Sequence, residues 1–202
     1  MLLKKKSVVI IGVGRFGTYL ATKFSELGNE VMIIDKSEEN INNLVHMISS
    51  AQIGDCTNIE VLKCLGVANF DICFVCISSN FQAAMEITYL IKELGAKYVI
   101  AKTNSDMRER FLLRNGADEV VYPERESANK AAIRLSSNQL FDYIELTPDY
   151  YLLEIPPPDA WMGESIASLS IRFTIAIVLS MTKIPYSTLR SLVTKSQRTF
   201  WL

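Results

Sequence analysis

Ser7-Val8-Val9-Ile10-Ile11-Gly12-Val13-Gly14-Arg15-Phe16-Gly17, with a carboxylate following at Asp35, decides how the rest of this chain is read. An apolar run of strand length enters a G-x-G-x-x-G turn. A helix pattern follows from Arg15 to Leu27, and Asn29-Glu30-Val31-Met32-Ile33-Ile34-Asp35 reads as a second strand ending in an acid. Strand, glycines, helix, strand and acid in register make a nucleotide- or dinucleotide-binding βαβ unit. Gly12 permits the tight turn, Gly14 lets backbone approach a pyrophosphate, and Gly17 lets the helix lie close to the strand. The unpaired N–H groups of the helix's first turn then face the phosphates. Asp35 stands 18 residues after Gly17. A carboxylate at that offset accepts hydrogen bonds from both ribose hydroxyls and repels a 2′-phosphate, so NADP is disfavoured while NAD(H), ATP and ADP stay open.

The remainder of the chain bounds what this unit can serve. Its 202 residues, 49% of them apolar, suffice for one domain of ordinary size and a small second lobe. Lys+Arg at 21 against Asp+Glu at 22 give a net charge of −1, and the one basic run is Lys4-Lys5-Lys6. That composition points away from nucleic acid. The lysines lead into a strand rather than a cleavable apolar segment, and the longest apolar stretch, Phe173 to Met181, is too short for a bilayer. A cytoplasmic protein without direct membrane insertion is the expectation. Cys73-Phe74-Val75-Cys76 is formally a C-x-x-C motif, yet it lies in the strand-like run Ile72 to Ile77, where residues three apart point to opposite faces. With Cys56, Cys64 and the single His46 it supplies no recognisable ligand set, and the cysteines read as core residues.

Taken in order, Ser37 caps a short helix carrying Glu38 and Glu39 in its first turn and running to about Val45, with His46 at its end. Ser49 to Ile53 is a weakly apolar strand expected near an edge, followed by the turn Gly54-Asp55-Cys56-Thr57-Asn58 and a helix from Ile59 to Leu65. Asp71 to Asn80 is a central parallel strand emerging into Ser78-Ser79-Asn80. A helix over Phe81 to Leu94, strand Tyr98 to Ala101 ending at Lys102, a helix over Asp106 to Asn115, and strand Glu119 to Tyr122 closed by Pro123 complete six βα repeats. The fold class is therefore α/β, a Rossmann-like doubly wound parallel sheet of about six strands. Ligands of such sheets bind beyond the carboxyl ends of the strands, which gathers Gly14, Arg15, Asp35, Asp55, Ser78, Lys102 and Glu124 around one crevice. A helix from Glu124 to about Leu140, apolar at Ala128, Ala131, Ala132, Leu135 and Leu140, suits a dimer or lobe-crossing element. Strands over Tyr143 to Thr147 and Tyr150 to Ile155, joined at Pro148-Asp149, open a small α+β lobe. The break Pro156-Pro157-Pro158, a turn and short helix over Trp161 to Leu169, and a strand over Thr174 to Met181 continue it. Residues 1–140 and 141–202 are the two expected parts.

These motifs together resemble the RCK (regulator of potassium conductance) domain, and within it the cytosolic regulatory subunits of Trk/Ktr potassium transporters. The residues carrying the resemblance are Gly12-Val13-Gly14-Arg15-Phe16-Gly17, Asp35, Gly54-Asp55, Ala101-Lys102, Gly116-Ala117-Asp118, Tyr122-Pro123-Glu124, Tyr143-Ile144-Glu145-Leu146 and Trp161-Met162-Gly163. The pattern is that of a TrkA-N part followed by a TrkA-C-like lobe. Beyond Lys183 the sequence departs from the family, so that lobe is expected to be partial or its tail replaced.

The resemblance implies a non-catalytic nucleotide sensor, peripheral to the inner face of the membrane. It would form a homodimer, assemble into an octameric ring, and gate a membrane potassium-translocating subunit. It implies ATP/ADP or NAD(H) as ligand, with a divalent cation, Mg2+ or Ca2+, accompanying ATP. By position, Gly12, Gly14 and Gly17 cradle phosphates and Asp35 holds the ribose, with Val13, Arg15, Phe16 and Lys36 as further cofactor-binding residues. Asp55, Cys56 and Thr57 border the adenine, Lys102 lies near the phosphates, Ile77 and Ser78 are further cofactor-binding residues, and Glu124 is the candidate metal-coordinating residue. Arg15 gains a role as the charge that tells a triphosphate from a diphosphate, and the family places it across the dimer interface. The competing reading is an NAD-dependent oxidoreductase, which the glycine fingerprint supports equally. Such an enzyme needs a proton donor beside the nicotinamide and a substrate domain. Here the only histidine sits at a helix end, and about 60 residues remain after the sheet, with no evident catalytic group.

Overall fold

Val8 to Ile11 form the middle of the sheet because nothing in that run tolerates water: all four are at most 1% exposed. In the computed structural model, which describes residues 5–48, 50–136, 142–147, 150–154 and 159–161, this run is β1 (Ser7–Ile11). It is followed by α1 (Arg15–Glu26), β2 (Glu30–Asp35), α2 (Glu38–Asn42), β3 (Ser50–Ile53), α3 (Ile59–Leu65), β4 (Ile72–Val75) and α4 (Phe81–Glu93). Then come β5 (Val99–Lys102), α5 (Asp106–Arg114), β6 (Glu119–Val121) and α6 (Pro123–Leu135). The six strands pair in parallel in the order β3-β2-β1-β4-β5-β6. Strand order reverses between β1 and β4, so the crevice for a ligand opens there, above the carboxyl ends.

Alternate residues of each strand feed two cores. Val9, Ile11, Ile34, Cys73, Val75, Val99 and Ala101 pack with Leu62, Ile87, Ile91 and Leu112 of α3, α4 and α5 on one face. Val8, Ile10, Val31, Ile33, Phe74 and Ile100 pack with Ala21, Ile41 and Leu44 on the other. The C-x-x-C motif obeys the same alternation: Cys73 lies in the first core and Cys76 in the second. Burial pushes both thiols up to about 12, so neither is a thiolate, and no group of three or more metal-ligating side chains occurs among the described residues.

Elements begin and end where local chemistry directs. Ser37 caps α2 through Asn40 N–H, but the helix stops at Asn42 rather than near Val45. Leu44 then reaches the core from a turn in which both Leu44 and Val45 N–H donate to Ile41 O. His46 is exposed in that turn. Pro123 opens α6 instead of closing β6, since proline is accommodated at a first helical position where its missing N–H is not needed.

At the amino ends of the strands, acids hold neighbouring chain in register. Asp118 accepts Val99 N–H at 2.8 Å and the Lys92 ammonium at 2.6 and 2.7 Å. Partial burial raises its pKa, but the bond from Lys92, the Val99 N–H and the Lys92 charge together bring it below the ordinary value. A carboxylate with a depressed folded-state pKa stabilises above its unfolded value and loses that contribution as pH falls through the folded one. Asp118→Asn is therefore expected to cost about 1 kcal/mol at pH 7. The gap from the parent chain should close as urea titrations are moved from pH 7 down past pH 4; a gap that stays constant over that range would count against the assignment.

The chain divides into two compact units, Met1–Arg125 and Glu126–Leu202, with the division inside α6. No residue of α6 is buried. In the second unit β7 (Asp142–Thr147) and β8 (Tyr150–Glu154) form an antiparallel pair, Asp142 opposite Glu154 and Tyr143 opposite Leu153, with a register shift between Glu145 and Thr147. Asp159–Trp161 is a single 3-10 turn. The expected Leu140, the Pro148-Asp149 joint, the proline run, the helix after Met162, the strand over Thr174 to Met181 and the divergent tail lie outside the described residues. No helix among the described residues is long and apolar enough to cross a membrane.

Candidate nucleotide site

Above the strand ends, the glycine turn is a fitted piece of backbone. Gly12 adopts φ +90°, a conformation that suits glycine, and a Cβ there would meet Ile77 at 2.9 Å. Gly17 lies against the carbonyl of Gly12, and a Cβ on it would fall 2.2 Å from that oxygen. Gly14 differs: nothing lies within 4 Å of where its Cβ would stand. That open side is where an oxygen of a phosphate could approach the chain. The first backbone bond of α1 runs from Thr18 N–H to Gly14 O, so the N–H groups of Arg15, Phe16 and Gly17 precede it. The helix has neither a side-chain cap nor an acid in its first turn. α2, α3 and α4, in contrast, are capped by Ser37, Asn58 and Asn80. A helix start left without a side-chain cap beside an open glycine favours an anion.

Asp35 ends β2 beside this turn and is already at work in the protein. Its Oδ2 accepts Val13 N–H and its Oδ1 accepts Ser37 N–H, both at 2.8 Å. Each oxygen keeps a lone pair for a ribose hydroxyl, so the ribose role fits, but the carboxylate is also the clasp that holds the glycine turn to β2. Spacing alone cannot reveal this second duty. Beyond it, Asp55 Oδ1 accepts both the N–H and the hydroxyl of Thr57, at 3.0 and 2.7 Å. Those two bonds, outweighing its slight desolvation, together with the charge of Lys36 hold its carboxyl below the usual value. Cys56 turns its thiol into the core. Burial, with the nearby charges of Asp55 and Asp35, pushes it up to about 12. A ligand would therefore meet its backbone and not its sulfur.

On the other side of the turn, Lys102 at the end of β5 is the buried cation of the crevice, its side chain 7% exposed. Its ammonium donates to Ser78 Oγ at 3.1 Å and to Glu124 Oε1 at 2.9 Å and stands 5.9 Å above the centre of the Phe16 ring. The Lys102 bond, Glu124's own N–H, and the charges of Lys102 and Arg15 hold the Glu124 carboxyl below the ordinary glutamate range. Glu124 is 60% exposed, and a divalent ion there would depend on ligand oxygens, since among the described residues it is not part of a cluster of three or more metal-ligating groups.

The structure therefore brings Gly12 to Gly17, Asp35, Asp55, Ser78, Lys102 and Glu124 to one rim, as the sheet rule requires. It adds residues that spacing did not mark. Ser78 and Lys102 also line a half-open notch with Phe81, Thr103, Asn104 and Arg108. Arg108 lies in the first turn of α5, six residues after β5 ends, and belongs to no motif of the sequence.

Residues 8–123 match the family model of the TrkA-N domain. The chain is 40% identical over 168 residues to Ktr system potassium uptake protein C of Bacillus subtilis (strain 168), spanning 83% of this chain and 76% of the relative. It is 31% identical over 170 residues to Ktr system potassium uptake protein A of the same organism, spanning 84% and 77%. Among solved structures, the GsuK channel bound to NAD superposes with a TM-score of 0.60 at 16% identity, over 73% of this chain and 26% of that one. The same channel protein bound to ADP superposes at 0.57 and 18% identity, over 66% and 35%.

Proposed function

The chain belongs to the TrkA-N domain family, and from that premise we propose that it is a nucleotide-binding regulatory subunit of a potassium uptake system, gating a membrane potassium-translocating partner rather than catalysing a reaction. The observation that carries this reading is the crevice itself. An uncapped helix start, an open Gly14 and a carboxylate at Asp35 suit an adenosine diphosphate moiety. Arg15, Lys102 and Glu124 add charge beyond it. Curated relatives named for potassium uptake and structural neighbours carrying NAD or ADP support the same assignment.

In this reading the glycine turn and the N–H groups of α1 bind phosphates, Asp35 takes the ribose, and Asp55 and Thr57 border the adenine. When ATP is bound, Glu124 would share a divalent cation with its phosphates, the cation supplying charge neutralisation. The protein works as a homo-oligomer, a dimer assembled into an octameric ring, on the cytoplasmic face of the membrane. A ligand can shift such an assembly only by binding one of its shapes more tightly, a coupling of about 1–3 kcal/mol. Nothing in this scheme calls for a proton donor or a hydride acceptor, whereas an oxidoreductase on the same turn would.

Calorimetry of the purified full chain with ATP, ADP, NAD+ and NADH tests the reading; no binding of any adenine nucleotide would overturn it, and substrate-dependent NADH turnover would install the oxidoreductase in its place. Arg15 offers a sharper test. Arg15→Ala is expected to weaken ATP about tenfold while leaving ADP within about twofold, narrowing the gap between them. Equal losses for the two would remove Arg15 from reading the third phosphate.

A further inference from the structure

The adenosine half of the crevice lies over β2 and β3, where Asp35 and Asp55 stand, and the diphosphate over the glycine turn. Whatever a ligand carries beyond its second phosphate is directed to the ends of β4 and β5, which is where the notch lined by Ser78, Phe81, Lys102, Thr103, Asn104 and Arg108 opens. Two cations face it, and they differ in one respect. Lys102 is matched by the Glu124 carboxylate at 2.9 Å. Arg108 has no carboxylate within ion-pair distance among the described residues; its guanidinium lies 4.9 Å from the centre of the Phe81 ring and donates to the neutral Asn104 Oδ1 at 3.1 Å.

The absence of a counter-charge is not for want of local acids. Asp106 and Glu109, the acids nearest Arg108 in sequence, are both engaged by Arg125, at 2.8 and 2.9 Å, whose guanidinium also stacks 5.0 Å from the centre of the Tyr122 ring. Arg125 takes the acids of α5, and Arg108 is left half-buried, over an aromatic ring and hydrogen-bonded to an amide, with a net positive charge on the notch. A solvated surface arginine has no need of the aromatic plane, the amide and the shared lining with a buried lysine. A guanidinium fixed in this way has lost much of its rotamer freedom before any ligand arrives and presents its planar donors to an oxyanion.

We propose that Arg108 makes this notch the distal half of the nucleotide site, one that selects an anionic extension of adenosine diphosphate, a further phosphate, over a nicotinamide nucleoside. The inference rests on the nucleotide reading above and deepens it. A further phosphate gains a charge-assisted bond from Arg108. The uncharged reduced nicotinamide gains none, and the oxidised ring, itself a cation, is repelled.

The test is calorimetry on the full chain, comparing the parent with Arg108→Gln and Arg108→Lys against AMP, ADP, ATP and NAD+. Arg108→Gln is expected to weaken ATP about tenfold, to leave AMP and ADP within about twofold, and to leave NAD+ unchanged or tighter, so that the preference for ATP over NAD+ falls about tenfold. Arg108→Lys should recover part of that preference, because it restores charge but not the planar fork. Unchanged ATP and NAD+ affinities in Arg108→Gln overturn the inference and leave the nucleotide reading standing. An equal loss for all four ligands overturns it as well, since discrimination is what it claims. Failure of the parent chain to bind any of the four removes the reading on which it rests.

Discussion

Gly17→Ala is expected to destabilise the first unit by about 3 kcal/mol and to lower its melting temperature by roughly 10 °C. The added methyl would fall 2.2 Å from the carbonyl oxygen of Gly12 and 3.5 Å from the Cys76 side chain. The first of these is backbone inside a turn, at a residue held at φ +90°, and cannot swing aside as a side chain end would. Relief must come from moving α1 off the sheet, which loosens Ala21 and the contact between Phe24 and Phe74, whose rings lie 5.6 Å apart. Gly14→Ala is the matched control. Its Cβ meets nothing within 4 Å and its φ of −66° suits any residue, so the melting temperature should stay within about 2 °C. ADP affinity should nevertheless fall more than about tenfold, because the methyl occupies the approach of the phosphates. Thermal melts and ADP titrations of both variants check the pair; a Gly17→Ala chain as stable as Gly14→Ala would refute the packing role.

The separation between these two glycines marks how far sequence alone reaches. The order of strands and helices, the parallel pairing, the edge position of β3 and the opposite facing of Cys73 and Cys76 follow from periodicity, because burial on both faces writes itself as continuous apolar runs. The turn role of Gly12 and the close-packing role of Gly17 follow from the motif and agree with the space around each, while Gly14 is left with open space beside it. What escapes is whatever depends on a partner far along the chain or on a turn that imitates a helix. The apolar Ile41, Leu44 and Val45 mimic helical spacing, yet Leu44 reaches the core from a turn. Nothing in the spacing marks Arg108, because Arg125, which takes the acids beside it, stands 17 residues later. Cys64, read with the other cysteines as a core residue, is exposed on α3, whereas Cys56 turns its thiol inward against Leu62 and Leu65 as that reading expects.

Asp35 carries the same lesson into the second large effect. A carboxylate reserved for a ribose could be removed without consequence for the ligand-free protein. Here Oδ2 holds Val13 N–H and Oδ1 holds Ser37 N–H, each at 2.8 Å, so Asp35→Ala leaves two backbone donors at the site without their acceptor. The ligand-free chain is expected to lose about 1.5–3 kcal/mol. AMP, ADP, ATP and NAD+ should all weaken about a hundredfold and alike, because the ribose and the glycine turn are common to every one of them. Asp35→Asn does not rescue this. An amide offers one oxygen where two donors wait, and its NH2 group must face an N–H. Its stability should fall between those of the parent and the alanine variant, while affinity stays low. Urea titration without ligand, set beside calorimetry with the four nucleotides, separates the duties. A stability equal to the parent's with weakened binding would confine Asp35 to the ribose, and losses that differ between ligands would show that it reads something other than their shared half.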